Sequence, residues 1–98
     1  MFDWDEGNIA HIAKHGVSPD EAEHVVLNDP LDLDHSEKDG EVRILQVGMT
    51  ARGRILRVVT TERGELIRVV AAYQASPFLR APYLKYKGSW LYGKSGST

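Results

Sequence analysis

The sequence predicts an α+β domain, two N-terminal helices packed on a mainly antiparallel meander, with a short helix or irregular segment at the C-terminal end. Three observations carry that expectation. Two well-punctuated helical segments precede Pro30; after Pro30 the apolar period shortens to two; and the glycine-ended separators Ala51-Arg52-Gly53 and Glu62-Arg63-Gly64 divide three strand-like runs. Helices gathered at one end of a chain and strands after them pack as helices on one sheet face.

Taken in order, Phe2 and Trp4 alternate with Asp3 and Asp5, a very short strand with one buried side. Asp5 then caps a helix over Glu6 to His15, where Ile9, Ile12 and Ala13 share a face and Gly16 stands just past the end. Ser18-Pro19-Asp20-Glu21 opens the second helix as a capping box with proline in the first turn, and Ala22, Val25 and Val26 form its apolar stripe. Asn28-Asp29-Pro30 ends it, because a residue before proline is driven out of the helical region.

Leu31, Leu33 and His35 alternate with aspartates as a half-buried edge strand, and Ser36 to Gly40 reads as a loop. Strands are expected over Val42 to Thr50, Arg54 to Thr61 and Glu65 to Tyr73. Pro77 closes the last of them, and Phe78 to Lys87 forms a final helix that Pro82 is expected to interrupt. One domain over residues 1–90 and a flexible, linker-like tail over 91–98 complete the reading.

Composition narrows the setting. With no cysteine there is neither disulfide staple nor thiolate metal site, so the core must hold the fold. No run approaches the roughly 20 apolar residues that span a bilayer. The acidic start, Met1 to Glu6, is no secretory signal, which makes the cytoplasm the expected compartment and excludes a membrane partner. The formal charge of −2 conceals a division: residues 1–42 carry twelve Asp/Glu and two Lys/Arg, residues 43–98 two Asp/Glu and ten Lys/Arg. Such a split either points the basic half at a polyanion or acidic protein, or is neutralised within the fold.

Chemistry-bearing residues fall in two groups. Asn8, His11 and His15 share a stripe of the first helix. His15 serves as an acid/base group, since imidazole changes charge near neutrality, or is a helix-end histidine favoured by the dipole; the His11/His15 spacing also suits a metal, with no third ligand specified. On the meander, Arg43, Arg54, Arg57 and Arg68 interleave with apolar residues, and Tyr73, Tyr83 and Tyr86 supply planar groups on which RNA bases stack. The same arginines are otherwise a solvated sheet surface. There is no phosphate-cradling glycine loop and no nucleophile elbow, so no cofactor is expected and no metal site is assigned.

The order of the motifs adds a resemblance. Phe2-Asp3-Trp4-Asp5, Asn8, Lys14-His15-Gly16-Val17-Ser18, Glu21-Ala22 and Asp29-Pro30 are followed by Glu41, Arg43, Gly48-Met49-Thr50, Gly53-Arg54-Ile55-Leu56, Val58, Thr61-Glu62-Arg63-Gly64 and Ile67-Arg68-Val69-Val70. From Phe2 to Ala75 the chain resembles the BrnT family of toxins. The resemblance implies a RelE-like fold and a metal-independent ribonuclease that arrests translation until a BrnA-like antitoxin binds, the antitoxin alone contacting operator DNA; a homodimer is compatible with it. His15 is then the acid/base, with Arg43 and Arg68 stabilising charge and Tyr83 as a substitute proton donor, while Lys14, Arg54, Tyr73 and Arg80 hold RNA. Where the family continues with Ser-Ala-Arg-Lys-Ala and a later Glu-Arg pair, this chain has Ala71-Ala72-Tyr73-Gln74-Ala75 and Leu79-Arg80. The missing charges imply weak activity, or a non-catalytic RNA- or protein-binding module of the same fold.

Overall fold

The computed structural model describes residues 1–95, with side-chain surroundings to residue 88. The elements run α1 (Glu6–Ala13), α2 (Pro19–Leu27), β1 (Leu31–Lys38), β2 (Glu41–Met49), β3 (Ile55–Arg63), β4 (Leu66–Gln74) and α3 (Pro77–Ser95). The four strands form one antiparallel sheet in chain order, so the fold is the α+β architecture that the sequence predicts.

Both early helices start where their caps require. The Asp5 carboxylate accepts from the Asn8 amide N–H while the Asn8 side chain accepts from the Asp5 N–H, and Ser18 and Glu21 repeat the exchange for α2. Each reciprocal pair satisfies two of the donors that a helix start leaves open. Asn8 does more than cap: it is 5% exposed, and its Nδ2 donates to the carbonyls of Asp3 and Val69, fastening α1 to β4. α1 stops at Ala13, two residues before the expected end, because Gly16 at φ +70° lets the Val17 N–H turn back to the Ile12 carbonyl.

β1 is longer than its sequence pattern indicates. Ser36, Glu37 and Lys38, expected in a loop, pair with Arg43, Val42 and Glu41. The turn is only Asp39-Gly40, both at positive φ (54° and 78°), the two-residue geometry whose twist matches that of paired strands. The expected N-terminal strand is a single parallel bridge, Phe2 to Ile67, held by Asp3 N–H to the Ile67 carbonyl and Ile67 N–H to the Met1 carbonyl. It lies along the outer side of β4.

Two apolar clusters sit on opposite faces of the sheet. On one, α1 and α2 bury Ile12, Val17, Ala22 and Val25 against Leu56, Val58, Val69 and Ala72, with Phe2, Trp4 and Val26 at the margin. A side chain of this kind contributes about 1.5–3 kcal/mol when fully buried. α2 comes close because Gly48 lies beneath it, where an added Cβ would stand 2.8 Å from Val25 Cγ1. On the other face α3 covers one end of the sheet, burying Tyr83 with Val47, Ile55 and Ala75. α3 passes through Pro82, contrary to the expected interruption. The bond that Pro82 cannot donate would have gone to the carbonyl of Phe78, an exposed residue in the first turn where water serves as well. Of the expected tail over 91–98, the helix includes residues as far as Ser95, and 96–98 lie outside the described residues.

The charge division along the chain is matched in space only in part. Arg54 meets Glu21, Arg68 meets Asp3 and Asp5, and Lys87 meets Asp29. Among the described residues no helix is long and apolar enough to cross a membrane.

Candidate functional site

A bulge in β4 decides which side chains meet. β3 pairs with β4 as Thr61 to Arg68 and Thr60 to Val69, but then as Val59 to Ala71 and Arg57 to Tyr73, leaving Val70 as an extra residue. Strict alternation would put Arg68 on the face of Val70 and Ala72. The extra residue reverses the parity, so Arg68, Ala71 and Tyr73 share the face opposite α1 and α2, while Val69 and Ala72 both point into the core. By the register of β2, Arg43 and Leu45 lie on that same open face, opposite Thr61 and Val59.

The outcome is a shallow groove of about 370 Å³ beyond the end that α3 covers. Leu45, Val59 and Ala71 make its floor, and Lys38, Arg43, Arg57 and Tyr73 stand around it together with one carboxylate, Asp34. Arg57 and Tyr73 are four residues along β3 from the Arg43–Thr61–Arg68 row, a spacing of about 13 Å at the usual rise of a strand. The Arg57 guanidinium carbon sits 4.8 Å from the centre of the Tyr73 ring. The Tyr73 ring also meets His15, ring centres 5.2 Å apart and planes tilted by 49°. Imidazole, phenol ring and guanidinium are therefore neighbours, and the last two line the groove.

Electrostatics separate the cations. Arg57 has no ion-pair partner among the described residues, and Arg43 has a 3.6 Å contact with Glu41 while its Nε is buried without an acceptor. Arg68 is committed elsewhere: its guanidinium lies 2.9 Å from Asp5 and 3.4 Å from Asp3, with the side chain 17% exposed. The hydrogen bond from Arg68 holds the Asp5 carboxyl below the usual aspartate range, helped by the Asn8 N–H, and the same bond with Asp5 keeps the guanidinium protonated to still higher pH.

Of the residues singled out by sequence, His15 meets Tyr73, Arg43 lines the same groove as Tyr73, and Arg68 shares the face of Arg43 and Tyr73. Lys14 follows α1 and is exposed, and Arg80 is exposed on α3. Two placements correct the sequence reading. Tyr83 is 1% exposed inside the cluster under α3, where it is the largest fully buried side chain, and it does not line the groove. Arg54 points to the helix side, where Nη1 donates to the Gly16 carbonyl (3.0 Å) and to Glu21 Oε2 (2.8 Å), tying the α1–α2 turn to the start of β3. His11 and His15 have ring centres 5.9 Å apart, and among the described residues no third ligand joins them. Arg57 is the site residue that sequence reasoning left among the general sheet arginines; its signal is its cross-strand position opposite Tyr73, which appears only once the bulge is known.

Over residues 4–77 the chain matches a family model described as ribonuclease toxin, BrnT, of type II toxin-antitoxin system. The matched span contains α1, α2, the whole sheet, the groove and His15, and it ends where α3 begins. No curated protein matches the chain.

Proposed function

We propose that this chain, which belongs to the BrnT family of type II toxin–antitoxin ribonuclease toxins, binds and cleaves RNA across the open face of its sheet without a metal ion. The observation that carries the reading is the His15–Tyr73–Arg57 succession at the edge of the groove. A base unstacked from its neighbours lies on the Tyr73 ring, and Arg57, Arg43 and Lys38 take the adjoining phosphates. Cleavage then needs a proton removed from the ribose 2′-hydroxyl as that oxygen attacks phosphorus, and a proton delivered to the departing 5′ oxygen as its bond to phosphorus breaks. His15 is the acid/base group, and Arg43 and Arg57 balance the charge that builds on the phosphorane oxygens. Lys14, exposed beside His15, extends the cationic path. The cognate antitoxin, of the BrnA type, would bring the operator-binding part of the pair.

The activity is low in this reading, since the Arg68 charge is already shared by two carboxylates and Tyr83 is out of reach. Those same two facts favour, as the second reading, an RNA-binding module without turnover. The purified chain, incubated with RNA in excess EDTA, should produce fragments ending in 2′,3′-cyclic phosphate, with His15→Ala about 100-fold slower. RNA bound through the groove but left intact by the wild-type chain would replace the first reading by the second.

A further inference from the structure

The helix side of the sheet has a second concavity, which neither the core nor the proposed RNA face uses. Between α2 and the β1–β2 hairpin lies a groove of about 770 Å³, walled by Val26, Val42, Ile44, Thr60 and Ile67. α1 and α2 cover the neighbouring end of this face, and among the described residues no element covers this one. Val42 is 52% exposed at its rim. A volume of this size admits several side chains at once.

Two further observations say what fits it. Gln46 lines the groove, and its Nε2 donates to Asp32 Oδ1 at 2.7 Å, which fixes the amide and leaves Oε1 buried with no donor. A buried acceptor in that condition is satisfied by an arriving N–H. The surroundings are acidic on balance. The lining includes Glu62 and an Arg63–Glu41 pair (3.3 Å), and Asp32 and Glu37 sit on the same side of β1 as the positions paired with Gln46 and Val42. Glu62, Asp32 and Glu37 have no Lys or Arg partner among the described residues. This rim repels phosphate and attracts a cationic polypeptide.

We propose that this groove receives the antitoxin, through an apolar stretch flanked by lysine or arginine, with a donor for Gln46 Oε1; the inference rests on the toxin reading above. The alternation of β2 and β3 sets its consequence. Ile44, Gln46 and Thr60 face the groove while Arg43, Leu45 and Arg57 face the opposite side, so the antitoxin and RNA contact different surfaces of the same strands.

The test uses the full chain and, as probe, its purified cognate antitoxin, with affinity measured by calorimetry and RNA cleavage measured in parallel. The Val42→Glu/Glu62→Lys variant changes two exposed residues and should bind the antitoxin about 30-fold more weakly or worse, the loss expected when an interface anchor is removed, with RNA cleavage unchanged. Arg57→Ala should show the reverse. Unchanged antitoxin affinity in the rim variant, or a loss confined to Arg57→Ala, overturns this inference and leaves the ribonuclease reading standing. A wild-type chain that neither cleaves RNA nor is bound by the antitoxin overturns both.

Discussion

The two faces of the sheet draw on the same strands and differ in what they leave to solvent. Beneath α1 and α2 the positions are Leu56, Val58, Val69 and Ala72, all buried and tightly packed; on the opposite side, past the end of α3, they are Arg43, Arg57, Ala71 and Tyr73 around an open groove. One extra residue in β4 keeps these two sets apart, since without it the arginine and the tyrosine of that strand would face opposite ways. The comparison teaches that one set of strands can pack a closed core on one face and leave an open, charged groove on the other.

The largest test of that division is Tyr83, which lies on the open side of the sheet but under α3. As a core ring, Tyr83→Ala should cost about 3–5 kcal/mol in urea unfolding, and Tyr83→Phe, which keeps the volume, should leave both stability and RNA cleavage near those of the wild type. Loss of cleavage in a stable Tyr83→Phe protein would return the phenol to the chemistry. Gly48→Ala comes next. The added methyl meets Val25 at 2.8 Å, with Pro30 Cβ and the Val25 carbonyl at 3.4 Å, so α2 must move or strain, at about 1–3 kcal/mol in the same unfolding measurement. An unaffected midpoint would mean that α2 does not rest on β2 so closely.

The smallest effect is electrostatic and concerns the ion pair at the margin of the two faces. Asp5 has its pKa lowered in the folded chain, first by the hydrogen bond from Arg68 and then by the Asn8 N–H. A carboxylate depressed on folding stabilises the fold above its ordinary pKa, and that contribution disappears as pH falls through the folded value. The window therefore lies below about pH 4. Asp5→Asn, which retains a capping side chain, should flatten the dependence of stability on pH there; a slope identical to the wild type would show that the Arg68 contact contributes nothing in solution.

Much of the fold was legible because its signals are local. Asp5, Ser18 and Pro19 mark helix starts, Gly53 and Gly64 mark turns, and the change of period after Pro30 marks the passage from helices to strands. The missed Asp39-Gly40 hairpin was local too, hidden by a strand so charged that its end read as loop. The site was only partly legible. His15 and Tyr73 are 58 positions apart, and their meeting depends on where β4 bulges, which no pattern within β4 announces. Arg54 and Tyr83 were misjudged for a different reason: residue type states what chemistry a side chain offers, whereas its partners here, Glu21 for one and the α3 cluster for the other, are fixed by tertiary packing.

The bridge between Phe2 and Ile67 bears on how the molecule comes to exist. The segment before α1 has its partner in β4, the last strand of the sheet, and Arg68 must also be present before Asp3 and Asp5 find their cation. Contacts of such long sequence separation form late and slow folding. Chains are built from the N-terminal end, so the edge of β4 is sealed, and the turn carrying His15 anchored beside it, only when nearly all of the matched span has been synthesised. A chain wired in this order closes the outer edge of its sheet only after the last strand of that sheet has been made.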